Sequence, residues 1–225
     1  AGISFFTFQL TAFAFDRFRG KVDRPPSLFA FAAYISFFPQ LIAGPIVRYN
    51  EIRDALANIG HVRWEASRLS NGVALICFGL AFKVLFADTL AYAMQPFVGT
   101  PEALSSLGAL YVVLGYSFQI YFDFYGYSLV AIGLGLIFGF KFPDNFNRPY
   151  ESLNIRDFWR RWHITLSYWI RDYLYVSIGG NQQYVRNILI VFFVCGLWHG
   201  AGWTFIVWGL YHGILVVLYH WTSGL

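Results

Sequence analysis

Residues 104–140 read LSSLGALYVVLGYSFQIYFDFYGYSLVAIGLGLIFGF, a run of 37 positions in which Asp123 is the only charge. A bilayer core of ~30 Å takes about 20 helical residues. The run is therefore too long for one perpendicular span and too short for two, and it is expected to be interrupted around Asp123–Gly126. Working outward, further apolar runs fall at about residues 3–15, 28–47, 69–94, 188–198 and 203–219. The chain has 225 residues, of which 57% are hydrophobic, 21% aromatic and 12% charged. That charge content is about half the ~25% of an ordinary soluble domain. With a mean hydropathy of +0.51, the composition excludes a disordered chain, a coiled coil and a collagen-like repeat. The predicted fold class is all-α: a polytopic membrane helical bundle, residues 1–225 forming one domain.

The run over 28–47 contains Pro39, Gly44 and Pro45, which break a helix and free backbone groups. Basic clusters flank it on both sides: Arg17, Arg19, Lys21 and Arg24 before, Arg48, Arg53, Arg63 and Arg68 after. Both clusters prefer the cytoplasm, so the run is predicted to be re-entrant. Residues 95–106 carry no cation and fit the outer side, while the basic stretch from Lys141 to Arg171 fits the cytoplasmic side. Broken apolar segments survive only against protein or a water-filled cavity, which predicts an internal chamber. The net charge of +4 comes from cations, thirteen of sixteen of them Arg, placed between apolar runs; this argues against nucleic acid as a partner and for membrane lipids. Cys77 and Cys195 sit in apolar stretches and read as small buried hydrophobes. The chain opens on Ala1 with no initiator Met and reads as a piece of a longer protein.

Two segments carry the candidate chemistry. Asp157–Asp172 mixes Trp159, Trp162, Tyr168 and Trp169 with Arg160, Arg161 and Arg171, the pattern of an interfacial helix. Asp157 and Arg161 stand at the favourable four-residue spacing. Within the segment His163 either rests at the headgroup level or faces inward, with the arginines handling an anionic donor. Gly196-Leu-Trp-His-Gly-Ala-Gly202 places His199 among small residues inside apolar runs, where an imidazole needs a partner. Gly196 and Gly200 form a small-xxx-small pair for close helix packing. His212, thirteen residues after His199, lies on a different face of any continuous helix, so His163 is the preferred companion of His199. His61 and His220 read as solvated or interfacial. Asp123 either orients a histidine or accepts from tyrosine hydroxyls, and Lys83 with Asp88 reads as a structural pair. No P-loop, dinucleotide fingerprint, CxxC pair or HExxH occurs, so no metal site and no bound cofactor is expected.

Several motifs resemble the membrane-bound O-acyltransferase family. They are Phe38-Pro-Gln-Leu-Ile-Ala-Gly-Pro-Ile-Val-Arg-Tyr49, Asn145-Phe-Asn-Arg-Pro-Tyr150, Phe158-Trp-Arg-Arg-Trp-His-Ile-Thr-Leu-Ser167, Arg171-Asp-Tyr-Leu-Tyr175 with Gly179-Gly-Asn181, and Gly196-Leu-Trp-His-Gly200. The branch they are most similar to is the alginate O-acetyltransferase type, with D-alanyl-lipoteichoic-acid transferases as relatives. One departure stands out: Tyr127-Ser-Leu-Val130 places Leu129 where that branch usually has an acid. The resemblance implies acyl transfer to a hydroxyl in a bacterial inner-membrane, multi-pass protein about twice this length, with helices missing at both ends. It places the family's essential histidine on His199 and its second histidine on His163.

Acyl transfer from a thioester needs a base for the hydroxyl and stabilisation of the oxyanion. His199 is the candidate base, and His163 either positions the acceptor or donates to the oxyanion. Arg160 and Arg161 are candidates for the phosphate-bearing arm of acetyl-CoA or an acyl carrier; Asp123, Trp198 and Asn147 complete the candidate substrate contacts. The implied partners are the acyl donor and a polysaccharide, or a periplasmic or extracellular acyltransferase that passes the group on. D-alanyl transfer to teichoic acid, a transporter, and a non-enzymatic scaffold of an export complex remain the competing readings.

Overall fold

A computed structural model of the protein describes residues 2–41, 44–98 and 104–223. Among these the only regular elements are helices. The chain divides into two compact units, Ala1–Asp144 and Asn145–Leu225.

The first unit opens with α1 (Gly2–Phe18), α2 (Leu28–Ile35), α3 (Phe38–Leu41) and α4 (Tyr49–Ala57). The apolar run over 28–47 is broken, as its prolines require; Ile42 and Ala43 lie outside the described residues. Ser27 caps α2 by accepting from the Ala30 N–H at 3.2 Å. At the break the Gln40 amide donates to the Tyr34 carbonyl at 2.8 Å, a group the helix leaves unpaired. Tyr34, Ile35, Val47, Ile52, Phe140 and Phe142 form the buried core beside it, and the Tyr34 hydroxyl donates to the Val47 carbonyl.

Next come α5 (Ala66–Ala81), a π-helical turn over Phe82–Ala87, α6 (Asp88–Val98) and α7 (Ser106–Ile137). Ala66–Val98 and Ser106–Ile137 are each long and apolar enough to cross a membrane. The expected interruption around Asp123–Gly126 does not exist: α7 runs unbroken for 32 residues, ~48 Å at 1.5 Å per residue. Two contacts remove the need for a break. Asp123 is neutralised by Lys83 at 2.9 Å, and Lys83 also meets Asp88 at 2.5 Å. The wide π-turn brings positions 83 and 88 together, five apart, which an α-helical turn does not do. Gly126 meanwhile lies against α5. A Cβ there would sit 2.7 Å from the Gly79 carbonyl oxygen, and one at Gly133 would sit 2.6 Å from that of Gly72. Glycines seven apart on both helices thus form an antiparallel seam closed to side chains. Gly133 is accordingly a packing residue, as is Gly135 against Phe142. Cys77, expected to be buried, is exposed, because α5 meets α7 along the Gly72–Gly79 stripe and position 77 lies off it. Leu129 is buried on α7, an environment suited to an apolar side chain.

The second unit contains α8 (Ile155–Arg161), α9 (Ile164–Ile170), a π-turn over Arg171–Tyr175, α10 (Tyr184–His199) and α11 (Trp203–Ser223). The third helix long and apolar enough for a membrane is Trp203–Ser223. It pairs with α10 as an antiparallel hairpin whose crossing needs glycine: a Cβ on Gly196 would lie 2.5 Å from the Phe205 carbonyl oxygen, and Gly209 packs on the Phe192 carbonyl.

Candidate functional site

The segment 157–172 is not the single interfacial helix its composition predicts. It breaks at His163, whose φ of +43° is left-handed, a conformation that costs a side-chain-bearing residue energy and clusters at functional sites. The break is held by the neighbouring stretch 145–147. Ile164 N–H donates to the Asn145 carbonyl at 2.9 Å, and Asn147 N–H donates to the Arg161 carbonyl at 2.9 Å. Below the break, Asn154 caps α8 through the Asp157 N–H at 2.8 Å. A turn with neither proline nor glycine is thus built from backbone hydrogen bonds to a distant segment.

The break carries His163 into the interior, where it is 4% exposed. Its Nδ1 lies 3.0 Å from Asn145 Oδ1, which also accepts from Thr165 Oγ1 at 2.9 Å and from the Thr165 N–H at 3.4 Å. Asn145 and Thr165 are themselves buried. Burial pushes the His163 imidazole down to about 3, with the neighbouring His199 lowering it further. His163 is therefore neutral at any physiological pH.

His199 ends α10, where Gly200–Gly202 stops the helix before α11 begins. It is exposed on its unit rather than enclosed. Its ring stands 4.6 Å from Trp198 and, edge-on, 5.0 Å from Trp208. Trp208 also meets His212 at 5.1 Å, and Trp159 meets both. The turn between the helices thus draws His212 into the aromatic cluster beside His199, but His212 does not line the cavity described next.

His163 and His199 line one cavity of about 680 Å³ within the second unit, a size suited to a substrate-sized ligand. The middle of its wall is apolar, with Leu166, Ile188, Val191, Phe192 and the buried thiol of Cys195. Another part of the wall is cationic and polar. Arg156 donates to His220 Nδ1 at 3.3 Å, His220 packs on Tyr184 at 4.2 Å, and the Tyr175 hydroxyl donates to Asn181 at 2.7 Å. Arg160 and Arg171 also line it, Arg171 being paired with Asp172 at 2.6 Å. From Tyr184 to His199 along α10 is ~22 Å at 1.5 Å per residue.

The structure therefore gathers some of the sequence candidates and separates others. His163, His199 and Arg160 share the cavity. Arg161 turns away, pairing with Asp157 through Nε at 3.0 Å and lowering the proton affinity of that carboxyl. Asn147 is exposed and serves the backbone link to Arg161. Trp198 packs on the His199 ring without lining the cavity. Asp123 is in the first unit with Lys83 as its partner. Two residues not assigned a role, Asn145 and Arg156, take the places expected of Asn147 and Arg161, and His220, read as solvated or interfacial, lines the cavity beside Arg156. The first stands in the same motif as Asn147, and its burial at 1% exposure is what distinguishes it. Among the described residues no three His, Cys, Asp or Glu side chains group as metal ligands.

The family model described as MBOAT, membrane-bound O-acyltransferase family, matches residues 4–223. The chain is 45% identical over 223 residues to the probable alginate O-acetylase AlgI of Azotobacter vinelandii, covering 94% of this chain and 42% of that protein. It is 42% identical over 240 residues to the peptidoglycan O-acetyltransferase of Helicobacter pylori, covering 94% and 46%. The teichoic acid D-alanyltransferase of Bacillus subtilis is 33% identical over 234 residues, covering 97% and 58%. The chain spans less than half the length of the first two and under two thirds of the third.

Proposed function

The chain belongs to the membrane-bound O-acyltransferase family, and from that premise we propose that its protein moves an acetyl group from a thioester to hydroxyls of an exported or cell-surface polysaccharide. Acetyl is favoured over D-alanyl because the relatives above 40% identity are named for O-acetyl transfer, while the D-alanyltransferase of Bacillus subtilis stands at 33%. The proposed setting is the bacterial inner membrane, crossed several times, with residues 1–225 acting as one domain.

One observation carries the mechanism: two imidazoles from separate helices line one cavity whose wall also bears cations. His199, exposed to the cavity, takes the proton of the acceptor hydroxyl as its oxygen attacks the thioester carbonyl. The C–O bond forms, the C–S bond breaks, and the proton passes from His199 to the leaving thiolate. Such base catalysis contributes about 10²–10⁴-fold. The cationic wall, Arg156 and Arg160 above all, suits the phosphate of a pantetheine-type donor such as acetyl-CoA or an acyl carrier. The ~22 Å between Tyr184 and His199 is comparable to an extended phosphopantetheine arm, so a phosphate near Arg156 leaves the thioester near His199. The acceptor is the polysaccharide itself or a partner acyltransferase that hands the group on.

The test is transfer of labelled acetyl by the purified full-length protein, with His199→Ala alongside. Label reaching a polysaccharide acceptor, and its loss in a variant that still inserts and stays monodisperse, is expected. Movement of the polysaccharide without acyl transfer would make the protein a transporter instead, and wild-type turnover in His199→Ala would remove His199 as the base.

A further inference from the structure

The hydrogen bonds around Asn145 fix something the two-histidine reading leaves open, namely which ring nitrogen of His163 carries the proton. A backbone N–H can only donate. The Thr165 N–H points at the Asn145 side-chain atom that His163 Nδ1 also meets, so that atom is the carbonyl oxygen and not the amide nitrogen. Thr165 Oγ1, at 2.9 Å, completes the same acceptor. An amide carbonyl oxygen carries no hydrogen and can only accept, so the Nδ1 atom must hold the hydrogen of this contact. The Asn145 side chain is in turn anchored by its own backbone, whose carbonyl accepts from Ile164 N–H at 2.9 Å. Every one of these groups flanks the left-handed turn that places His163.

We infer that Asn145 is a positioning residue that locks His163 as the Nδ1–H tautomer, leaving the Nε2 lone pair as a hydrogen-bond acceptor for the substrate. The inference rests on the acyl-transfer reading for what the lone pair does, but not for the tautomer itself. It decides between the two roles open to His163. A neutral imidazole with its proton committed to Asn145 has none left on Nε2 to give an oxyanion. The low proton affinity of this buried ring, about 3, keeps it from gaining a second one. His163 therefore orients an O–H or N–H of the bound substrate, for which a polyhydroxylated acceptor is well supplied, and oxyanion stabilisation falls to other groups.

The experiment is nitrogen NMR of the full-length protein labelled at histidine, with the His163 signals identified by their loss in His163→Gln. Wild type is expected to show a protonated Nδ1 and an unprotonated Nε2; the reverse pattern would overturn the inference. Asn145→Asp keeps an acceptor oxygen and is expected to keep both the tautomer and most of kcat. Asn145→Leu, similar in volume without an acceptor, is expected to release the tautomer. It should lower kcat about 10–100-fold, the size of loss found when the hydrogen-bond partner that orients a metal-bound histidine is removed, with KM for the donor unchanged. A loss of stability alone would not produce that split between kcat and KM. Should Asn145→Leu fail to fold, the wild-type and Asn145→Asp spectra still decide. Wild-type kcat and tautomer in a folded Asn145→Leu would contradict the inference. A wild-type protein with the Nδ1–H signature and no acyl transfer would support the lock while refuting the proposed reaction.

Discussion

At His163 a costly backbone angle and a costly burial coincide, and both are held by Asn145. The burial has a sign that can be measured. The folded-state proton affinity is lowered to about 3 from an ordinary value of 6.5, so between those limits the unfolded chain binds more protons than the folded one. Stability from this group is complete above about pH 6.5 and falls as the pH drops towards 3. Thermal unfolding in detergent at pH 7.5 and pH 5 should therefore show wild type losing more stability on acidification than His163→Gln. Equal losses in the two proteins would mean that the ring is solvated. His199 has the opposite setting, exposed at a helix end with tryptophans beside it, as suits a group that must meet substrate. His199 was legible in the sequence as an imidazole among small and apolar residues, whereas His163 stood in an Arg- and Trp-rich segment that left an interfacial and an inward placement open. Asn145 was not legible, because its role arises only when it meets His163, eighteen positions along the chain.

At the scale of elements, the packing seams depend on glycine. Gly126→Leu is expected to destabilise the first unit by about 1–3 kcal/mol through overpacking, since the new Cβ would meet the Gly79 carbonyl at 2.7 Å. Gly108→Leu is the control: its nearest contacts, at 3.4 Å, are side-chain atoms. A thermal melt in detergent that finds the two alike would refute the seam. The same scale shows where sequence reasoning failed. Asp123 looked like a break in α7 because its partner Lys83 lies on another helix, forty positions away. Residues 157–172 looked like one helix because nothing in them marks a stop; the break at His163 is imposed by hydrogen bonds from 145–147. Where the cause was local, the reading held, as with the break in the apolar run over 28–47, which α2 and α3 divide.

For the whole molecule, the Lys/Arg distribution predicts Arg48–Arg68 and Lys141–Arg171 on the cytoplasmic side and residues 95–106 outside; residues 99–103 of that loop lie outside the described part of the structure. Single cysteines in the three stretches of the full-length protein, labelled from each side of the membrane, should react accordingly. Labelling of 95–106 from the same side as the basic loops would overturn the arrangement. The family and the all-helical class were legible because motifs and apolar runs are written along the chain. The cavity was not legible: the expected chamber was argued from the broken run over 28–47, whereas this wall draws on α8, α9, α10 and α11 together. The central claim is that His163 and His199 serve one reaction centre in that cavity, and a double-mutant cycle on acyl transfer by the full-length protein tests it most directly. Residues acting as a unit are non-additive, so His163→Ala/His199→Ala should be little worse than the more damaging single variant, with His212→Ala milder than either. Losses that multiply in the double variant would contradict the claim.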